Sequence, residues 1–248
     1  GKSCKIREIV SIAKKNHITI VEDCAHAIGS KVNSKHVGTF GQSGCFSFYP
    51  TKNFTTIEGG MVITNSKNTA DFVRSARNHG ITKTLASRFS KGKPWDYDIE
   101  NPGYNYRLDE IRASLGINQM KRIKKMNLLR KKVANYYTEK LENVNGVVVP
   151  DKSIGTDHVH HLYVIRITGK YSITRDMLFN KLLNKGIRTS VHYKPLHMFT
   201  AFKKMAKISG SLSNSKNAYS QILSLPIYPS ISKRQQNIVI RNIEKYEG

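Results

Sequence analysis

Two residues in the first quarter of the chain have the types and the setting for chemistry on an amine. Asp23 comes directly after an apolar run, Ile18–Val21, and Lys52 follows a second apolar segment, Gly44–Tyr49. Ligands of open parallel sheets gather at the carboxyl ends of the strands, where both side chains are expected. An acid that keeps a pyridine nitrogen protonated and a lysine that forms a Schiff base are the minimum requirement for pyridoxal phosphate (PLP).

Each of these residues also has a simpler interpretation. An aspartate after a strand often forms a turn or caps a helix, and an isolated loop lysine is usually only solvated. The pair occurs together with a turn rich in threonine and glycine at residues 55–60, which favours the cofactor hypothesis. We therefore expect Asp23 and Lys52 to lie in one pocket.

Alternating patterns of strands and helices would position these groups, which predicts an α/β or α+β architecture. A long helix from about residue 109 to about residue 141 is expected to span the boundary between two domains, 1–125 and 126–248. A long loop is expected from His79 to Tyr104. The segments 147–149 and 161–167 are expected to pair in a second, separate sheet. Strands are also predicted at 18–21, 44–49 and 60–64, a strand or loop at 188–193, and helices at 5–14, 68–78, 174–185, 213–223 and 232–246.

Composition limits the possible classes of protein. The chain has 248 residues and a formal net charge of +24, and 39% of its residues are hydrophobic. No apolar run approaches the roughly 20 residues of a membrane helix, which excludes an integral membrane protein of that kind. The three cysteines fit free thiols in a reducing cytoplasm, and their spacing does not predict a metal site. The basic run at 121–132 is typical of a solvated helix face, and the nucleic-acid interpretation is the less favoured one.

Longer motifs extend this hypothesis over nearly the whole chain. The sequence resembles the DegT/DnrJ/EryC1/StrS family of PLP-dependent sugar aminotransferases. The resemblance implies the aspartate-aminotransferase-like fold (fold type I), with the C-terminal part of a large PLP-binding domain at 1–125 and a small C-terminal α+β domain at 126–248. The matching segments are 21–27, 38–41, 45–53, 58–64, 103–111, 113–116, 160–163, 191–197 and 223–229.

The resemblance also implies roles for individual residues. Lys52 matches the lysine that holds PLP as a covalent aldimine, and Asp23 matches the acid at the pyridine nitrogen. His26 matches a position beside the cofactor ring, and Ser47 matches a hydroxyl that contacts the phosphate. Further matches are Asn105, which reaches the phosphate in the other subunit of a homodimer, Arg107 close by, and His192 and Tyr193 near the sugar.

Several alternatives stay open at this point. His26 could be a structural histidine, and His192 or Tyr193 could simply pack. Family members extend further at the amino-terminal end, where they carry a phosphate-binding turn, so we expect an incomplete large domain that binds PLP poorly by itself. The expected activity is transfer of an amino group from glutamate or glutamine to a nucleotide-linked keto sugar. A non-catalytic, regulatory family member is the alternative, and a basic nucleic-acid-binding protein is a less favoured one.

Overall fold

A computed structural model describes residues 1–82, 85–90, 95–151 and 156–247. The chain divides into two compact units. Unit 1 comprises residues 1–125 and 154–159, and unit 2 comprises residues 126–153 and 160–248. The predicted loop at 79–104 lies partly outside the described residues, because it includes residues 83–84 and 91–94.

Unit 1 is built from short strands with helices on either side of them in sequence. The elements are α1 (Ile6–Lys15), β1 (Val21–Asp23), β2 (Lys31–Val32), β3 (Lys35–His36), β4 (Ser43–Ser47), β5 (Gly60–Thr64), α2 (Lys67–Ala76), α3 (Leu85–Phe89), α4 (Glu110–Met120) and β7 (Thr156–Asp157). The first sheet has the order β1-β4-β5, with β1 and β4 parallel and β4 and β5 antiparallel. The second sheet has the order β3-β2-β7 and is antiparallel.

The strand predicted at 18–21 was placed too early. The backbone N–H of Ile18 donates to the carbonyl of Ala13 at 2.9 Å, so this residue still belongs to the turn that ends α1. Ile18 and Val21 are 61% and 62% exposed, whereas Glu22 is only 8% exposed. The buried residue of β1 is thus a glutamate, which an apolar pattern cannot indicate.

The single helix predicted at 109–141 is two helices. Asp109 caps α4, accepting a hydrogen bond from the backbone N–H of Arg112 at 2.9 Å. A turn at Lys121 and Arg122 then separates α4 from α5 (Ile123–Leu141). The N–H of Arg122 bonds to the carbonyl three residues back, and this tighter turn ends the four-residue pattern of the helix. Neither proline nor glycine marks the break, so the local sequence carries no signal for it.

Unit 2 is built around one antiparallel sheet. Besides the larger part of α5, its elements are β6 (Val147–Val148), β8 (Tyr163–Ile167), α6 (Arg175–Asn184), a 3₁₀ turn (Leu196–Met198), α7 (Thr200–Met205), α8 (Ser213–Gln221), β9 (Ile222–Leu225) and α9 (Lys233–Glu244). The sheet has the order β6-β8-β9. The predicted pairing of the segments 147–149 and 161–167 is confirmed, since Val147 pairs with Ile167. Helices α6 and α9 bury apolar side chains in the same core as this sheet.

Strand β9 differs from the sequence prediction, which extended a helix to residue 223. The helix ends at Gln221, and Leu223 and Leu225 then point into the core, with 0% and 3% exposure. The segment near 190 contributes only one isolated bridge, between Ser190 and Ser224. The four residues 222–225, directly before Pro226, are too few to predict a strand when the residues before them have a helical pattern. Within the described part of the chain, none of the helices has the length and apolarity needed to cross a membrane.

Candidate cofactor site

Asp23 and Lys52 lie at or beyond the ends of two neighbouring parallel strands in unit 1. Asp23 is the last residue of β1 and lies in register with Cys45 of β4. Strand β4 ends at Ser47, five residues before Lys52. One carboxylate oxygen of Asp23 accepts a hydrogen bond from the N–H of Ala25 at 3.0 Å, which fixes the side chain in the turn after the strand. The arrangement is the strand-end location expected for a ligand site.

The Lys52 amine has an altered protonation equilibrium. Burial lowers the pKa of Lys52 because removal of water disfavours the charged form, while the negative charge of Asp23 acts in the opposite direction and raises it. The negative charge of Asp23 therefore partly offsets the effect of burial on the Lys52 amine. A lysine with a lowered pKa is more often neutral, and only the neutral amine is a nucleophile.

The loop that carries Lys52 is held at both of its ends. The N–H of Lys52 donates to the carbonyl of Tyr49 at 3.0 Å, and the carbonyl of Phe48 accepts from the N–H of Thr56, also at 3.0 Å. Beneath the loop, the rings of Phe48 and Phe54 meet edge to face at 4.6 Å, and both residues are buried. These contacts give Lys52 a fixed attachment point, although it sits outside any strand or helix.

Two other predicted residues lie along the same strand ends. Ser47 closes β4, and its hydroxyl oxygen accepts a long hydrogen bond of 3.4 Å from the N–H of Tyr49. His26 is half-buried in the turn three residues after Asp23. The N–H of the next residue, Ala27, donates to the carbonyl of Cys24 at 2.9 Å, so the turn is hydrogen-bonded.

Asn105 and Arg107 lie in unit 1 but make their contacts elsewhere. Asn105 forms an isolated bridge with Asn78, just beyond α2. The guanidinium of Arg107 donates to the side-chain oxygen of Asn78 at 3.1 Å and lies 2.8 Å from Nε2 of His79. Arg107 also lines an open cavity of about 950 Å³, together with Arg74, Arg77 and Arg88. Asp71 and Glu100 also line it, so the arginines outnumber the carboxylates and leave an excess of positive charge.

His192 and Tyr193 belong to unit 2. Nδ1 of His192 lies 2.8 Å from the hydroxyl oxygen of Ser224 in β9. The Tyr193 ring stands edge-on to the His192 ring with a centroid distance of 4.7 Å, and Tyr193 is well exposed. Their assignment to a sugar site stays a prediction.

One residue at this sheet was missed as a functional candidate. The carboxylate of Glu22 accepts three backbone hydrogen bonds from the turn at residues 38–41. The adjacent Cys24 is buried, and burial, with smaller contributions from Glu22 and Asp23, raises the pKa of its thiol to about 12. The sequence signal for Glu22 was only a charged residue directly after an apolar run and before a glycine-containing segment. Across the described residues, no cluster of three or more His, Cys, Asp or Glu side chains could hold a metal ion.

Comparison with known proteins identifies the family. Residues 1–244 match the model of the DegT/DnrJ/EryC1/StrS aminotransferase family. The chain belongs to this family. It is 33% identical over 246 residues to the spore coat polysaccharide biosynthesis protein SpsC of Bacillus subtilis, covering 98% of this chain and 63% of SpsC. It is 33% identical over 242 residues to a UDP-4-amino-4,6-dideoxy-N-acetyl-beta-L-altrosamine transaminase of Campylobacter jejuni, covering 96% of this chain and 61% of that protein.

A solved structure of a family member supports the fold as well. PseC of Helicobacter pylori, an aminotransferase involved in the biosynthesis of pseudoaminic acid, superposes with a TM-score of 0.90 at 25% identity. The match covers 100% of this chain and 64% of PseC. The predicted fold class, that of the PLP-dependent sugar aminotransferases of fold type I, is confirmed. The chain spans between 61% and 64% of the length of these three proteins.

The residues of unit 1 fit PLP by their chemistry. The cofactor requires an acid, an amine and hydrogen-bond donors for its phosphate. Asp23 and Lys52 supply the first two and interact electrostatically, and Ser47 supplies a hydroxyl at the end of the neighbouring strand. The lowered pKa of Lys52 is also the direction that a lysine nucleophile requires.

Proposed function

We propose that this chain is the PLP-binding part of a sugar aminotransferase, which moves an amino group from glutamate or glutamine to a nucleotide-linked keto sugar. The main support is that Asp23 ends β1 and Lys52 follows the neighbouring strand β4, with the charge of Asp23 acting on the Lys52 amine. The names of the relatives support the substrate class, since the Campylobacter enzyme is a transaminase of a UDP-linked sugar and SpsC serves the biosynthesis of a polysaccharide. Amino-sugar or polysaccharide biosynthesis is the corresponding cellular role.

Each residue of the site has a role in this proposal. When bound, PLP supplies an electron sink for chemistry at the carbon that carries the amino group. Asp23 would hold the pyridine nitrogen of the cofactor in its protonated form, and the Lys52 amine would hold its aldehyde group. Nζ of Lys52 would also accept and return a proton as the general base and acid of the transfer. Ser47 would hold the phosphate, and His26 would contact the phenolic oxygen of the ring.

A homodimer with shared sites accounts for Asn105 and Arg107. Both residues contact Asn78, in the region after α2. In the proposal they reach the cofactor phosphate of the partner subunit, while His192 and Tyr193 face the sugar. The arginine-lined cavity adds positive charge for a substrate that carries a diphosphate.

The proposed location is the cytoplasm. All three cysteines are free in the structure, which suits a reducing compartment. The net charge of +24 favours anionic partners, and a diphosphate-bearing substrate is one of them.

The test follows amino-group transfer in two half-reactions. Because the chain by itself is expected to bind PLP poorly, the protein is incubated with an excess of PLP and with either glutamate or glutamine. The absorbance of the cofactor is followed, and a nucleotide-linked keto sugar is then added. We expect one donor to convert the cofactor and the keto sugar to reverse the conversion. Lys52→Ala should abolish both steps, whereas Lys170→Ala, at an exposed lysine of unit 2, should leave them unchanged. Cofactor binding without either half-reaction would instead support the non-catalytic alternative.

A further inference from the structure

The carboxylate of Glu22 accepts three backbone hydrogen bonds beside the candidate site. Its Oε2 accepts from the N–H of Gly38 at 2.7 Å, and its Oε1 accepts from the N–H groups of Phe40 and Gly41 at 2.6 and 2.7 Å. Glu22 is only 8% exposed. Hydrogen bonds to a charged acceptor are shorter and stronger than neutral ones, and these three have such lengths.

The turn at residues 38–41, which Glu22 binds, lies directly on the paired strands β1 and β4. Gly44 is the register partner of Glu22, and a Cβ atom placed on Gly44 would clash with the Cα of Gly38. At the other end of the turn, a Cβ atom on Gly41 would lie 2.6 Å from the carbonyl oxygen of Ile20. The backbone of the turn therefore lies against both strands without an intervening side chain.

Side chains of neighbouring strand residues point to opposite faces, so Glu22 and Asp23 project from opposite sides of β1. The turn fixes one face of the strand pair, and the site uses the other. Asp23 is paired with Cys45 at the last position of the β1–β4 ladder, and the N–H of Cys24 donates to the carbonyl of Cys45 at 2.8 Å. The position of Asp23 thus depends on how firmly β1 is held against β4.

We propose that Glu22 is a positioning residue for Asp23. By binding the 38–41 turn with three backbone hydrogen bonds, it locks β1 against the start of β4 and so fixes the position of the Asp23 carboxylate at the end of β1. The inference rests on the proposed function for the catalytic meaning of Asp23, but the geometry it asserts exists without any cofactor.

The test uses the pKa of Lys52 as a reporter of the Asp23 position. The charge of Asp23 raises this pKa, and Glu22 is not among the groups that shift it. The 248-residue chain without PLP is acylated over a range of pH, and the extent of reaction at Lys52 is read by peptide mass spectrometry. The variants are E22Q, E22D, D23N and the double variants E22Q/D23N and E22D/D23N. The amino group of Gly1 also interacts with Lys52, and it is the same in every variant.

We expect E22Q to lower the pKa of Lys52 in the otherwise unchanged chain and to have no effect in the D23N background. The carbonyl oxygen of the substituted side chain can still accept from Phe40 and Gly41, but its amide nitrogen would face the N–H of Gly38, donor against donor. E22D keeps the charge and loses reach, so it should lower the pKa as well. Equal shifts in the two backgrounds would show a direct charge effect of Glu22 and would overturn the proposal.

A matched control changes the same turn without touching Glu22. The hydroxyl of Thr39 donates to the carbonyl of His36 at 2.6 Å, and T39A removes only this bond. We expect T39A to leave the pKa of Lys52 unchanged; a shift as large as that of E22Q would contradict a specific role of Glu22.

Far-UV circular dichroism checks that the variants fold. If E22Q and E22D were both unfolded while T39A and D23N were folded, Glu22 would be required for the whole fold and the proposal would also fail. Since no cofactor is used, an inactive enzyme would not affect the result.

Discussion

The two units of this chain are stabilised in different ways. In unit 2, all three strands and helices α5, α6 and α9 contribute to one apolar core, with Ile165, Leu178 and Leu182 completely buried. In the described part of unit 1, the cluster of buried apolar residues around the site is small and centres on Phe48, Phe54 and Ile123. There the strands are held by glycine contacts, by backbone hydrogen bonds and by the buried carboxylate of Glu22.

This difference between the two units indicates that one set of contacts stabilises the fold and another set positions the site residues. Apolar burial contributes free energy roughly in proportion to area, but it is not directional. Hydrogen bonds and close backbone contacts contribute less net free energy but define positions within a fraction of an ångström. We infer that unit 2 is the source of much of the stability, whereas the polar contacts of unit 1 define the geometry of the candidate site.

The largest expected effect is in the core of unit 2. Leu182 is fully buried on α6, while the next residue, Leu183, is about half exposed. Leu182→Ala should lower the free energy of unfolding by about 2–5 kcal/mol, because it removes buried methyl groups and leaves a cavity. Leu183→Ala, the matched control, should cost less than about 1 kcal/mol. Urea unfolding measures both, and equal costs would show that α6 does not pack as described.

A second, smaller effect is expected in unit 1 at Gly44. A Cβ atom there would meet the backbone of Gly38, which has no flexible side chain to move aside. Gly44→Ala should therefore destabilise the protein by about 1–3 kcal/mol through overpacking. Gly169→Ala is the control, since no atom lies within 4 Å of the added Cβ position. A neutral Gly44→Ala, measured by the same unfolding experiment, would argue against the close contact between the turn and β4.

Acid should weaken unit 2 through His160. Burial, with a further contribution from the charge of Lys131, lowers the pKa of His160 to about 4. The unfolded chain, with a histidine pKa near 6.5, binds this proton more tightly, so the contribution is fully present above about pH 6.5 and falls as the pH drops towards 4. Allowing for partial exposure, the loss is about 1–2 kcal/mol.

The control for this prediction is His160→Asn. Asparagine tolerates the positive φ of 44° at this position and does not titrate in this range. Unfolding free energies at about pH 7 and about pH 4.5, on either side of the histidine range, should therefore differ less in the variant than in the parent chain. The same pH dependence in both proteins would assign the acid effect to other groups.

The smallest effect is expected at the helix caps. Ser232 forms a capping box with Gln235 at the start of α9, which buries Val239, Ile240 and Ile243. Ser232→Ala should cost about 1 kcal/mol in global unfolding. Ser66 caps α2 with a single hydrogen bond, which its side chain accepts from the N–H of Thr69. Since α2 has no buried residue, Ser66→Ala should appear mainly as faster amide exchange in its first turn. A larger global effect of Ser66→Ala than of Ser232→Ala would reverse the comparison.

Most elements could be predicted from the sequence because their patterns are local. The amphipathic helix near residue 6, the helix capped by Ser232 and the strand Gly60–Thr64 carry such patterns, and the structure confirms them. The break between α4 and α5 and the edge strand β9 depend on tertiary packing, which leaves no local signal. Helix α3 within the predicted loop at 79–104 was missed for the same reason.

The candidate site residues also differed in whether the sequence alone could reveal them. Asp23 and Lys52 could be found from residue type and position after a strand, because strand ends are where ligands bind. The role of Glu22 depends on a turn 16 to 19 residues away, and no spacing rule joins the two. Hydropathy patterns also failed there, because a buried glutamate has a polar side chain and interrupts the apolar pattern that marks a buried strand.

The central claim is that Lys52 is the lysine that binds PLP. The most direct measurement treats the protein with PLP and then with borohydride, which makes the bond between a lysine amine and the cofactor aldehyde permanent, and maps the label by peptide mass spectrometry. We predict label concentrated on the peptide that contains Lys52, lost in Lys52→Ala and reduced in Asp23→Asn. Label spread over the exposed lysines, and unchanged in total by Lys52→Ala, would contradict this claim.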